Sequence, residues 1–85
     1  MRKSRIVIAY DISDEQRLQR VAHFLENYGI RVQRSIFELE MVYKDAVRVL
    51  QKVEDFMDRE EDRCYLFRVS AKEDIVGSTQ LERIF

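Results

Sequence analysis

The 85-residue sequence has no proline and no tryptophan, and only two glycines, one cysteine and one histidine. Each shortage excludes something. With no proline, and glycine only at positions 29 and 77, nothing reads as a linker or a low-complexity tract. The chain reads as continuous secondary structure from Arg5 to about Ser70. A lone Cys64 forms no intramolecular disulfide and reads as a small apolar strand residue in a reducing compartment. One histidine and one cysteine are too few for zinc-finger or cysteine-cluster sites, which need four soft ligands. No uncharged run is long enough to cross a membrane. The apolar stretch after Met1-Arg2-Lys3-Ser4-Arg5 is too short for a secretory signal and ends in Asp11. The expected location is the cytoplasm.

What is present fits one folded domain over residues 1–85. The chain is 46% hydrophobic and 36% charged, which argues against disorder. A chain this short buries only roughly 60–65% of its unfolded surface, so pairing with a second copy is a natural remedy. Fifteen Lys+Arg against sixteen Asp+Glu give a net charge of −1, which excludes a strongly basic nucleic-acid wrapper but not a local basic patch. The charge is unevenly spread. Residues 1–34 hold 7 basic and 4 acidic residues, a net of +3, and residues 35–85 hold 8 and 12, a net of −4.

Ile6-Val7-Ile8-Ala9-Tyr10 is β-branched and apolar throughout, as in a central strand buried on both faces. Asp11 ends it. Ser13 with Gln16 three residues on reads as a capping box, with Asp14 and Glu15 at the positive end of the helix dipole. Leu18, Val21, Ala22, Leu25 and Tyr28 recur at helical spacing, and Gly29 reads as the stop. From Ile30 to Met41 the residues are strand formers. The run is long for one strand, and its alternation shifts phase near Arg34-Ser35, but no turn residue marks a break there. Tyr43–Met57 reads as a second helix with Ala46, Val47, Leu50, Val53, Phe56 and Met57 on its apolar face. Asp58 to Asp62 reads as a solvated loop, and Cys64 to Val69 as a last strand. With the middle run split, the order is βαββαβ, a ferredoxin-like α+β arrangement with an antiparallel sheet. The tail from Ile75 to Phe85 is apolar without an evident partner in the chain.

Asp11 stands out because it joins a buried strand to a helix N-terminus. A carboxylate there suits Mg²⁺, which takes one or two carboxylates plus water and phosphate oxygens. A turn or cap aspartate is the competing reading and the commoner one. One carboxylate per chain is too few for a two-metal site, but a two-fold axis would bring two Asp11 side chains together, and a cation between them would relieve their repulsion. Arg17, Arg20, Arg31 and Arg34 read equally well as phosphate contacts or as a solvated, ion-paired surface. His23 lies opposite the apolar helix face, so it offers Ser35 no general base. Tyr10, Tyr28 and Phe37 have ring faces that suit base stacking, although such spacings more often mark core.

Taken together, Tyr10-Asp11-Ile12, Arg17 and the run from Tyr28-Gly29-Ile30 through Gln33-Arg34-Ser35-Ile36-Phe37-Glu38 resemble the CRISPR-associated Cas-two family of spacer-acquisition proteins. The resemblance runs from about residue 5 to residue 69. It implies a ferredoxin-like homodimer with sheets face to face, and a short C-terminal strand, within residues 70–85, that packs on the partner subunit. It implies that Asp11 from both subunits binds Mg²⁺, with Mn²⁺ as a substitute, and that Asp11 is the catalytic residue. Arg17, Arg20, Arg31 and Arg34 would contact nucleic acid, while Tyr10, Ser35 and Phe37 would shape the site. Family members are described as metal-dependent endonucleases on single-stranded RNA or duplex DNA, and as the adaptor between dimers of the CRISPR integrase. One departure is plain. The family commonly has adjacent arginines at the helix start, whereas here Arg17 and Arg20 are three apart.

Three functions follow for comparison: a Mg²⁺-dependent endonuclease, a DNA-holding scaffold for the integrase without catalysis, and a regulatory dimer for a small ligand. A related family of toxin-like small ribonucleases shares the fold. The run from Gln33 to Glu38 ranks the first two above the third, with spacer acquisition as the main task.

Overall fold

A computed structural model describes residues 2–69. The expected C-terminal strand and the apolar segments Ile75-Val76 and Ile84-Phe85 lie outside them. The element order is β1 (Lys3–Asp11), α1 (Glu15–Leu25), β2 (Gly29–Gln33), β3 (Ile36–Val42), α2 (Tyr43–Phe56) and β4 (Arg63–Val69). The strands form one sheet in the order β2-β3-β1-β4, antiparallel throughout. This is the ferredoxin-like α+β topology, and the break in the middle run falls at Arg34-Ser35.

The helices cover one face of the sheet. Ile6, Ile8 and Tyr10 of β1 and Phe37 and Leu39 of β3 pack there against Leu18, Val21, Ala22 and Leu25 of α1 and Ala46, Val49 and Val53 of α2. The other face follows from strand alternation. Val7 lies opposite Glu38 and Phe67, Ala9 opposite Ile36 and Tyr65, and Asp11 opposite Arg63. That face is apolar in the middle. At its Lys3 end Arg5 bonds Glu38 at 3.1 Å. At the other end stands Asp11.

The structure corrects several expectations. The α1 cap is Asp14, whose carboxylate accepts from the Arg17 N–H, not Ser13. The helix ends at Leu25, so Tyr28 lies outside it and is 39% exposed. Gly29 is not a helix stop but the first residue of β2. A Cβ there would meet the Glu38 carbonyl oxygen at 2.3 Å, so only glycine lets β2 approach β3 this closely. In α2 the buried stripe is Ala46, Val49 and Val53, with Val49 where Val47 was expected. The true stripe falls at spacings of three and four from Ala46. Asp62, expected in a solvated loop, is buried.

The β2–β3 turn lacks the Asn or Gly that a two-residue hairpin favours. It is held from outside instead. The Tyr10 N–H donates to the Ser35 carbonyl at 3.0 Å, and the Tyr10 hydroxyl donates to the Arg34 carbonyl at 3.1 Å.

Candidate functional site

The carboxyl end of β1 brings together three chain segments: Asp11 to Asp14, the Arg34-Ser35 turn, and Asp62-Arg63 at the start of β4. Asp11 is the last ladder residue of β1, paired with Arg63. It is exposed, and among the described residues no donor bonds its carboxylate. Alternation puts it on the open face of the sheet, opposite to Tyr10.

Tyr10 points into the helix-side core and stacks on Phe37 at 6.3 Å between centroids. Burial pushes its hydroxyl pKa up, so it stays a protonated donor to Arg34. Phe37, fully buried, reaches the site only through that ring. Ser35 contributes its carbonyl to Tyr10. Thus Tyr10, Phe37 and Ser35 form one support beneath the turn.

The arginines differ in what they touch. Arg31 donates from Nε at 3.0 Å and from Nη2 at 2.6 Å to the Arg34 carbonyl. Arg34 pairs with Glu15 at the start of α1. A hydrogen bond from Gln19 and the charge of Arg34 hold the Glu15 carboxyl below its ordinary range. Arg20 is exposed on α1 and makes no ion pair among the described residues. Arg63 turns its Nη1 to the Asp62 carbonyl at 2.9 Å. Arg63 is thus the ladder partner of Asp11, whereas Arg31, in register with Phe37, and Arg34, paired with Glu15, lie toward the helix side of the sheet.

Arg17 is engaged elsewhere. Its Nε donates to Asp62 Oδ2 at 2.9 Å and its Nη2 to Asp62 Oδ1 at 3.3 Å. Nη2 also lies 3.4 Å from Ser13 Oγ and 3.7 Å from a Glu61 carboxylate oxygen. The Asp62 side chain has no exposed surface. It accepts two further bonds, from Ser13 N at 3.2 Å and from Asp58 N at 2.8 Å. Burial is the largest single influence on its carboxyl pKa and pushes it up. The Arg17 hydrogen bonds and the two backbone N–H groups outweigh it and hold the carboxyl below its ordinary range. Sequence reasoning missed this residue. Nothing local separates Asp62 from its charged neighbours, since its main partners lie 45 and 49 positions away.

Burial pushes the Cys64 thiol pKa up to about 12, which disfavours the thiolate that a nucleophile needs. His23 is exposed and lies 3.5 Å from Glu26. Among the described residues there is no group of three or more His, Cys, Asp or Glu able to hold a metal. Of the carboxylates that meet at this end of the sheet, Asp14 and Asp62 accept hydrogen bonds and Asp11 does not, among the described residues. The donor chemistry fits Mg²⁺ if a second carboxylate comes from another chain. Asp62 cannot supply it, as both its oxygens are bonded. No helix among the described residues is long and apolar enough to cross a membrane.

Comparison with known proteins bears on this geometry. The family model described as CRISPR associated protein Cas2 matches residues 4–75. A protein of Thermodesulfovibrio yellowstonii named CRISPR-associated endoribonuclease Cas2 1 is 29% identical over 70 residues, covering 82% of this chain and 76% of its own. The solved structure of hypothetical protein TT1823 from Thermus thermophilus superimposes with a TM-score of 0.77 at 28% identity, covering 88% of this chain and 92% of its own. A chain of the partial Cas6-RT-Cas1–Cas2 complex shares the fold, with a TM-score of 0.67 at 23% identity over 85% of this chain and 84% of its own. The match of a family model over most of the chain, on the fold that the family shares, places this protein in the CRISPR-associated Cas2 family.

Proposed function

We propose that this protein acts in CRISPR spacer acquisition as a homodimeric adaptor for the integrase, and that the dimer hydrolyses phosphodiesters with Mg²⁺ held between two Asp11 carboxylates. It would work in the cytoplasm. The observation that carries the catalytic reading is the Asp11 carboxylate, exposed and unbonded at the end of a rigid central strand. It stands on the open sheet face. The apolar middle of that face, Val7, Ala9, Ile36, Tyr65 and Phe67, suits a second copy as its cover. Face-to-face packing about a two-fold axis would bring the two carboxylates toward one another. A segment within residues 70–85 would extend the interface by packing on the partner subunit.

When bound, the metal supplies a lowered pKa for water and charge stabilisation at the phosphate. The chain's own residues orient the substrate. Arg31 and Arg34 lie on the exposed side of the turn, where guanidinium groups meet phosphate oxygens. Arg20 offers a further charge along α1. Tyr10, Ser35 and Phe37 set the position of the turn that carries Arg34. The substrate class is single-stranded RNA or duplex DNA. The names of the relatives support an endonuclease, and the Cas1–Cas2 assembly supports an integrase partner.

A second reading, scaffold without cleavage, is favoured by one observation: among the described residues one chain alone holds no group of three or more metal-ligating side chains. The assay that separates the two compares wild type with Asp11→Ala on labelled single-stranded RNA and duplex DNA, with and without Mg²⁺. The endonuclease reading expects cleavage that needs both Asp11 and metal. Absence of cleavage by a dimeric wild type, with retained binding to the integrase, would leave the scaffold. Equal cleavage by both proteins would remove Asp11 from the mechanism.

A further inference from the structure

We infer that Asp62, held by Arg17 and itself holding the Ser13 N–H, is the positioning residue of the Asp11 site, and that Arg17 serves this clamp instead of a phosphate. The inference rests on the reading of Asp11 as a metal ligand.

The β1–β4 ladder ends at the pair Asp11–Arg63. Helix α1 begins at Glu15. Beyond the ladder, residues 12–14 must carry the chain from strand to helix without sheet hydrogen bonds. Three devices fix them. Ile12 is buried in the core. Asp14 caps α1. Between these two, the Ser13 N–H is held by Asp62. Asp62 immediately precedes Arg63, so the clamp sits one residue beyond the last ladder pair, just before the neighbouring strand begins. The carboxylate that orders this corner is the one buried acidic side chain among the described residues. Burying a charge is costly unless it is fully paired. Here both oxygens take two donors each, so Asp62 has no lone pair left for a metal. Its full occupancy suits a purely geometric task.

The same geometry describes Arg17. Two of its nitrogens face Asp62, and Glu61 approaches one of them. A guanidinium between two carboxylates presents little net positive field to a phosphate. Its planar fork matches Asp62 in a way that an ammonium cannot.

The test reads Mn²⁺ binding by electron paramagnetic resonance, a probe independent of cleavage, on Asp11→Ala, Asp62→Asn, Arg17→Met and Arg17→Lys proteins confirmed as folded dimers. Loss of a group that orients a metal ligand typically weakens affinity about 10–100-fold. We expect a weakening in that range for Asp62→Asn and Arg17→Met, no further loss in the double variant, and no rescue by Arg17→Lys. The salt dependence of duplex DNA binding gives the second readout. If Arg17 neutralised a phosphate, Arg17→Met would lower the slope of log affinity against log salt by about one. We expect an unchanged slope. Wild-type Mn²⁺ affinity in Asp62→Asn, beside lost binding in Asp11→Ala, would overturn the inference alone. So would a reduced slope in Arg17→Met. Wild-type binding by Asp11→Ala would overturn the metal reading first, and the positioning role with it. If Asp62→Asn fails to fold, the two Arg17 variants decide the same question from the other side of the pair.

Discussion

Two corners of the fold flank Asp11, and they are built differently. The β1–α1 corner is pinned by a buried carboxylate with four charge-assisted bonds. The β2–β3 turn is pinned by bonds to backbone carbonyls, from Tyr10 and Arg31, and by the exposed pair of Arg34 with Glu15. The first arrangement fixes one backbone path, since loosening it leaves a charge stranded. The second leaves the arginine side chains at the surface, where small shifts cost little. One corner is suited to hold a ligand still and the other to follow a nucleic-acid backbone.

That contrast orders the expected effects of substitution. The largest falls on the pinned corner. Asp62→Ala removes the acceptor of four hydrogen bonds and strands Arg17. Charged hydrogen bonds of this kind contribute about 1.5–3 kcal/mol each before compensation, so a net loss of about 2–3 kcal/mol is expected. For a domain of this size that is a fall in melting temperature of about 10 °C or more, read by circular dichroism.

Acid probes the same corner without mutation. The folded Asp62 carboxyl lies below its ordinary value of 3.8. A depressed folded pKa means that the native state holds the proton less tightly than the unfolded chain. The stability this confers is therefore complete above that ordinary value and is lost as pH falls through and below it. Acid unfolding of wild type should steepen there, while Asp62→Asn, already weaker, should show a flatter profile. Identical profiles would deny Asp62 its special place.

The turn should respond less. Tyr10→Phe keeps the stack on Phe37 but removes one donor from the Arg34 carbonyl, which retains Arg31. A loss of about 1 kcal/mol is expected, or about 4–8 °C in a thermal melt. Glu15→Gln should have the smallest effect. It breaks an exposed ion pair, so the melting temperature should stay within replicate scatter. A large loss from Glu15→Gln, or none from Asp62→Ala, would erase the distinction between the corners.

The sequence displayed the architecture better than the site's supports. Periodicity found β1, α1 and the alternation of β3 and β4, because burial of a face imprints itself on local residue choice. It singled out Asp11, because a position after an apolar run is a local feature. Boundaries were less legible. Val49 replaces Val47 in the core because two apolar residues two apart on a helix cannot both face inward. The Arg34-Ser35 turn carries no turn residue because Tyr10, more than twenty positions earlier, holds it. Gly29 resembled a helix stop because a close approach to β3 and a helix end both favour glycine. Asp62 was hidden for the same reason as the turn. Its role is set by Ser13 and Arg17, which come near it only after the sheet has formed.

The most direct test is the stoichiometry of Mn²⁺ bound at saturation, measured by equilibrium dialysis on the full-length dimer and on Asp11→Ala. Two Asp11 carboxylates sharing one cation require half an equivalent per chain in wild type and none at that site in the variant. One equivalent per chain, or equal binding by both proteins, would contradict the shared Asp11 site.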